Sequence, residues 1–175
     1  MAQEKNPQVL IKTSLGDIKV ELDKKNAPIT TANFLSYVDD KFYDGTVFHR
    51  VIPTFMIQGG GIEKGLQTAK TMEDFEKRQK KTKPPIKNES GNGLSNAIGA
   101  IAMARTSELD SATSQFFINV VDNERLDGAK YCAFGKVVSG LEVVDKIRKV
   151  KTRTIQAIGD VPVVDVVIIS ITKIP

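Results

Sequence analysis

The sequence predicts a mainly β chain folded into a closed or nearly closed barrel, and two observations carry that prediction. Short extended segments recur along the whole length, and only two stretches show the spacing of an amphipathic helix. No regular strand–helix–strand alternation is present, which argues against a doubly wound parallel sheet.

Taken in order, residues 9–13 form a first extended segment and residues 14–17 supply turn residues. Ile18, Val20 and Leu22 alternate with Lys19 and Glu21, the period of a half-buried strand, so a hairpin is expected here. Pro28 suits the first turn of a helix, where its missing N–H costs little. Residues 30–40 follow as an amphipathic helix, with Phe34, Leu35, Val38 and Phe42 at helical spacing. Two short strands are expected at residues 47–51 and 55–58. Gly59-Gly60-Gly61 ends the second, as a turn or bulge. Further strands are expected at 98–103, 115–120 and 131–138, and a second helix is marked by Leu141, Val143, Val144, Ile147 and Val150. The β-branched run 163–171 reads as a buried final strand. Residues 62–96 break the rhythm as one long loop, a length that is usually functional or disordered. Within it Thr71 is placed to cap a short helix with Glu73 and Asp74 in its first turn. The basic run 77–83 reads as a solvated loop rather than a docking face. With no repeat and no linker, the expectation is a single domain over residues 1–175.

Composition narrows the function. The chain has 175 residues, 41% hydrophobic and 26% charged, and its formal charge of +4 is spread along the length. That pattern suits solubility and points to no nucleic-acid surface. No apolar run is long enough to span a bilayer, so no membrane partner is expected. The polar residues 1–8 carry no apolar signal core, so a cytoplasmic location is expected, with the periplasm as the alternative if a signal has been removed. Cys132 is the only cysteine and His49 the only histidine, which rules out a Cys/His zinc site and an internal disulfide. No P-loop, G-x-G-x-x-G or G-x-S-x-G motif occurs, and no cofactor or metal is expected. Cys132 lies among apolar neighbours and reads as a small buried hydrophobe. On a regular strand His49 and Arg50 face opposite sides, so they would not share a site, and His49 reads as a hydrogen-bonded structural residue.

One cluster stands out. Residues 48–61, Phe48-His49-Arg50-Val51-Ile52-Pro53-Thr54-Phe55-Met56-Ile57-Gln58-Gly59-Gly60-Gly61, place Arg50 and Gln58 beside Phe55 and Met56 on neighbouring strands. By composition alone Phe55 and Met56 read as core and Arg50 as a surface charge. The segment is similar to the cyclophilin signature F-H-R-x-I-P-x-F-M-x-Q-G-G. Ala102-Met103-Ala104-Arg105 resembles the bacterial M-A-R-T form, and Ser114-Gln115-Phe116-Phe117-Ile118 resembles S-Q-F-F-I. Leu126-Asp127-Gly128 followed by Phe134-Gly135-Lys136-Val137-Val138 resembles L-D-G…F-G-K-V, and Pro84-Pro85-Ile86-Lys87-Asn88-Glu89 resembles a bacterial family loop. The matches run in order over about the whole chain.

The resemblance to bacterial-type cyclophilins implies an eight-stranded closed antiparallel barrel capped by two α-helices, with a substrate groove on its outside. It implies a peptidyl-prolyl cis-trans isomerase that assists protein folding without a covalent intermediate; the alternative is a proline-peptide binding module or holdase with little turnover. Arg50 matches the catalytic arginine that stabilises the twisted amide, and Gln58 the residue that positions it. Phe55, Met56, Phe117 and Leu126 match the proline pocket. Ala104, Arg105 and Gln115 match backbone contacts, and Tyr131 stands where many eukaryotic members have His. Arg105 replaces their Asn. Arg125 replaces their Trp before L-D-G, so weak cyclosporin binding is expected. Proline-containing peptides and unfolded or partly folded proteins are the expected partners, and a monomer is the expected state. Residues 66–83 look extended relative to short bacterial members and are placed to gate or lengthen the groove.

Overall fold

The computed structural model describes residues 5–175, so Met1 to Glu4 of the polar segment lie outside the described residues. The first hairpin forms as its alternation dictates. Strands β1 (Gln8–Thr13) and β2 (Gly16–Leu22) pair antiparallel from Gln8↔Glu21 to Thr13↔Gly16. Val9, Ile11, Ile18, Val20 and Leu22 are fully buried on the inner face. Helix α1 (Pro28–Asp39) begins with Pro28, and its N-cap Ala27 offers no side-chain acceptor. Glu89 supplies one from the distant loop, accepting from Ile29 N at 3.2 Å and from Thr30 N and Oγ1 at 2.6 and 2.8 Å.

The remaining barrel strands are β3 (Thr46–Ile52), β4 (Met56–Glu63), β5 (Ala100–Met103), β6 (Phe116–Asn119) and β7 (Ala133–Ser139), then β10 (Val167–Ile174) after the hairpin β8 (Thr152–Ile155) and β9 (Ile158–Pro162). Eight strands close in the order β1-β10-β3-β4-β6-β5-β7-β2, every pairing antiparallel, and β8–β9 stands apart as a two-stranded sheet. Helix α1 and helix α4 (Leu141–Arg148) sink Phe34, Val38, Val143, Val144 and Ile147 into the barrel core. Phe34 meets Tyr43, Phe116 and Phe134 at centroid distances of 5.2, 5.5 and 5.4 Å. The lumen is therefore packed with side chains, as small barrels require.

Several expectations are corrected. Strand β4 does not end at Gly59 but runs through the glycines to Glu63. The final strand begins at Val167, and Val163 and Val164 are exposed: β-branched residues favour extended backbone without dictating burial. Nothing in the sequence pattern announces the β8–β9 hairpin or the short helix α3 (Arg125–Gly128), whereas the expected short helix α2 (Met72–Glu76) forms with Thr71 as its N-cap in a capping box with Asp74.

Residues 62–75 are ordered around a second, smaller apolar cluster outside the barrel, while Ile86 packs on the barrel core and Leu94 on a third cluster. Val47, Ile62, Leu66, Ala69, Phe75, Ile155 and Val161 form the second cluster, so the loop and the β8–β9 hairpin bury one another. Arg153 ties them, donating from Nη2 to the carbonyls of Leu66 and Ala69 at 2.7 Å each. Two lysines of the basic run fold back on α1 and its exit. Lys80 donates to Phe42 O and sits 4.5 Å over the Phe42 ring, and Lys83 pairs with Asp40 at 2.7 Å. Cys132 is buried, and burial pushes its thiol pKa up.

Candidate active site

Strand pairing, more than strand content, builds the site. Phe48 faces Gly59 and Arg50 faces Gln58, so β3 carries one extra residue against β4 at this point. Phe48 and Val51 both enter the barrel core, and the bulge turns His49 and Arg50 out of it together. This departs from the regular strand on which the two would oppose one another. His49 is buried against Phe75 of α2, with ring centroids 5.9 Å apart. Its Nδ1 lacks a hydrogen-bond partner of good geometry, contrary to expectation. Burial, helped by the neighbouring Arg50 charge, lowers its pKa to about 4, and the nearby Val47 backbone only partly offsets this. His49 is thus neutral near pH 7.

A wider irregularity lies on the other strand. Between Thr46↔Glu63 and Phe48↔Gly59, β4 carries two more residues than β3. Gly60 takes a φ of 91° there, which favours glycine. At Gly61 the constraint is space: a Cβ would lie 2.7 Å from Gln115 Cγ. Gln115 folds across that gap and accepts a 2.9 Å hydrogen bond from Gln58 Nε2.

Arg50, Phe55, Met56, Gln58, Ala104, Arg105, Phe117, Leu126 and Tyr131 line one hollow of about 280 Å³. The tenth predicted residue, Gln115, lines an adjoining hollow of about 180 Å³ with Gln58, Ala104, Arg105, Thr106, Ser111 and Thr113. All ten predicted residues therefore meet in one continuous groove. Its floor is a third apolar cluster, distinct from the barrel core, built from Met56, Ala102, Phe117, Leu126 and Ala133 with Phe55, Ala104 and Tyr131 packed on it. Register explains the meeting: Gln58 pairs with Phe117, and Ala102 pairs with Phe117 from the other side. Phe55 sits in the β3–β4 turn, with its N–H bonded to Ile52 O at 2.9 Å.

The two groove arginines differ. Arg50 is exposed, and among the described residues its side chain makes no hydrogen bond or ion pair, so its guanidinium donors face the groove uncommitted. Arg105 is committed: Nη2 donates to Ala129 O at 2.7 Å, Nη1 to Thr106 O at 2.9 Å, and the guanidinium lies 4.5 Å over the Tyr131 ring. It serves as a wall, and its fork is occupied by the protein's own carbonyls. Arg125 lies 5.2 Å over the Phe55 ring, a contact that no sequence spacing announces. None of residues 66–83 lines either hollow, and Leu66, Ala69 and Phe75 of that segment pack on the far cluster.

The barrel is closed with a filled lumen, and its exterior carries a hollow with an apolar floor flanked by an uncommitted arginine. Comparison with known proteins supplies the class of protein. Residues 8–173 match the family model described as cyclophilin type peptidyl-prolyl cis-trans isomerase/CLD. A peptidyl-prolyl cis-trans isomerase of Acinetobacter baylyi is 51% identical over 170 residues, covering 95% of this chain and 85% of that protein. Peptidyl-prolyl cis-trans isomerase B of Escherichia coli is 49% identical, covering 94% of this chain and 98% of that one. Among solved structures, a cyclophilin-type isomerase of Cryptosporidium parvum superposes with a TM-score of 0.78 over 97% of this chain and 98% of that one, at 24% identity. The same parasite protein, solved in the presence of the dipeptide Ala-Pro, gives a TM-score of 0.77 over 96% and 99% at 25% identity. The chain belongs to the cyclophilin-type peptidyl-prolyl cis-trans isomerase family. It is an isomerase of X-Pro peptide bonds, acting on proline-containing peptides and proteins.

Proposed function

We propose that the pocket of Phe55, Met56, Phe117 and Leu126 holds the proline ring while Arg50 lowers the barrier to rotation of the preceding peptide bond. An X-Pro amide resists rotation by roughly 18–20 kcal/mol because its nitrogen lone pair is delocalised into the carbonyl. In the twisted state that lone pair is localised, the nitrogen becomes pyramidal, and it can accept a hydrogen bond. A donor aimed there acts on the transition state and not on either planar form. No covalent bond forms or breaks. The observation that carries the reading is the uncommitted guanidinium of Arg50 in the same hollow as the apolar pocket. Arg keeps its charge at any working pH and presents its donors as a rigid fork, which Lys does not. Gln58, anchored by Gln115, orients the substrate backbone beside Arg50.

A charge-assisted hydrogen bond is worth about 1.5–3 kcal/mol, so Arg50→Ala lowers kcat/KM from about tenfold to a few hundredfold. Arg50→Lys falls between the two. NMR exchange at an X-Pro bond in a short peptide measures this, and unchanged turnover by a folded Arg50→Ala protein refutes the role. Unfolded and partly folded proteins are the macromolecular substrates in this reading, because the groove is open to the outside, and the protein acts as a monomer without nucleic acid. Its single thiol, buried and unpaired, is compatible with the cytoplasm, where we place it; recovery in a periplasmic fraction would reverse that. Arg125 in place of an aromatic wall makes cyclosporin a weak inhibitor, and nanomolar inhibition would contradict this.

A further inference from the structure

The walls of the pocket come from two separate stretches of chain: Phe55 in the β3–β4 turn, and the segment from Leu126 in α3 to Tyr131 ahead of β7. Each is tied to one chain of buried amides. Asn123 Nδ2 donates to Phe55 O at 2.9 Å and to Asn119 Oδ1 at 2.8 Å. Asn119 Nδ2 donates to Asn96 Oδ1 and to Ala100 O, both at 3.1 Å. Asn96 Nδ2 donates to Asp127 Oδ1 at 2.8 Å and to Tyr131 O at 3.1 Å. The carboxylate of Asp127 ends the chain and also accepts from Asn96 N at 2.8 Å and Ser95 Oγ at 2.6 Å. Backbone bonds complete the frame: Asn123 N to Asn96 O at 2.8 Å, Leu126 N to Asn123 O at 2.8 Å, and Tyr131 N to Leu126 O at 3.0 Å.

Three features set this apart from ordinary core satisfaction. The side-chain donors all run one way, from Asn123 through Asn119 and Asn96 to a negative terminus, so each bond polarises the next. The amides are deeply buried, with Asn96 and Asn119 0% and Asn123 5% exposed. Yet none of the four residues lines the groove. Burial alone raises the Asp127 pKa, and the bonds from Ser95 and Asn96 outweigh it and hold the carboxyl below its usual range. A buried polar chain of this kind is costly unless every member is paired, and here it is paired to groove backbone at Phe55 and Tyr131.

Resting on the groove reading above, we propose that Asn96, Asn119, Asn123 and Asp127 are positioning residues that set the spacing of Phe55, Leu126 and Tyr131, and so the fit of the pocket to a proline ring. None of them touches substrate; they act through the walls.

The test is a double-mutant cycle between Asn123→Ala and Phe55→Ala, read by NMR binding and exchange on an X-Pro peptide, with thermal unfolding alongside. Loss of one buried donor predicts that Asn123→Ala weakens peptide binding by about three- to tenfold with kcat changed less than about twofold. If Asn123 acts through Phe55, the double variant binds within about twofold of Phe55→Ala alone. Asn123→Ser keeps one hydroxyl donor and restores part of the loss. It also carries the cycle if Asn123→Ala does not fold. Binding effects that multiply independently, or a kcat loss as large as the binding loss, overturn the proposal. If Phe55→Ala and Arg50→Ala both leave binding and exchange unchanged, the groove reading itself has failed. If those two fall and only the coupling is missing, the network alone has failed.

Discussion

Gly61→Ala is a single-methyl perturbation whose consequence is read directly from the geometry. The new Cβ would lie 2.7 Å from Gln115 Cγ, 2.8 Å from its Nε2 and 3.1 Å from its Cδ. Gly61 is outside the left-handed region, so its backbone accepts alanine without strain and the clash alone acts. Gln115 is half-buried at the groove edge and can swing outward. That swing breaks its 2.9 Å bond with Gln58 and leaves Gln58 unanchored beside Arg50. A neutral hydrogen bond is worth about 0.5–1.5 kcal/mol, so kcat/KM falls by about two- to tenfold. Because Gln115 regains solvent, stability changes by less than ~1 kcal/mol, or about 2–4 °C in Tm for a chain of this size. The assay is catalysed exchange in Gly61→Ala, Gln115→Ala and the double variant. The double should match Gln115→Ala, since the methyl acts only through that side chain. Independent, additive losses would refute the reasoning, as would a large fall in Tm.

Two further outcomes concern stability. His49 is held neutral with a pKa near 4 against about 6.5 when unfolded, so the unfolded chain binds the extra proton between those values. Stability is therefore full above about pH 6.5 and declines as pH falls toward about 4, by about 3 kcal/mol; Tm against pH should flatten in that window in His49→Gln, and an unchanged slope would exclude the histidine as its source. Glu89→Ala removes the remote acceptor at the N-terminus of α1 and should cost about 1–2 kcal/mol, read by denaturant unfolding, whereas a midpoint unmoved from wild type would show that solvent replaces it fully.

How much of this was legible in the residues varies with how local each signal is. The β1–β2 hairpin, α1 and α4 announce themselves because their burial follows one period over several residues. The β8–β9 hairpin does not, since only Ile155 and Val161 commit firmly to a core and that core is supplied by residues about ninety positions earlier, such as Leu66. The ten groove residues were found through motif resemblance, while composition alone assigned Phe55 and Met56 to the core and Arg50 to the surface. What stayed hidden is relational. The bulge that turns His49 and Arg50 out together is a property of two strands in register, and neither strand encodes it alone. Likewise nothing in the spacing of Asn96, Asn119 and Asn123 separates a wired chain from three scattered turn residues. The commitment of Arg105 to Ala129 and Thr106 depends on where a loop closes over it.

The filled lumen of the barrel has a topological consequence. With the exterior furrow as the proposed binding surface, a long polypeptide would reach it sideways, at any point along its length, and leave the same way. No terminus has to be threaded, and no part of the host fold has to part and reclose between visits. On that proposal a visiting chain needs only a bare proline, and one molecule could serve several prolines in succession along it.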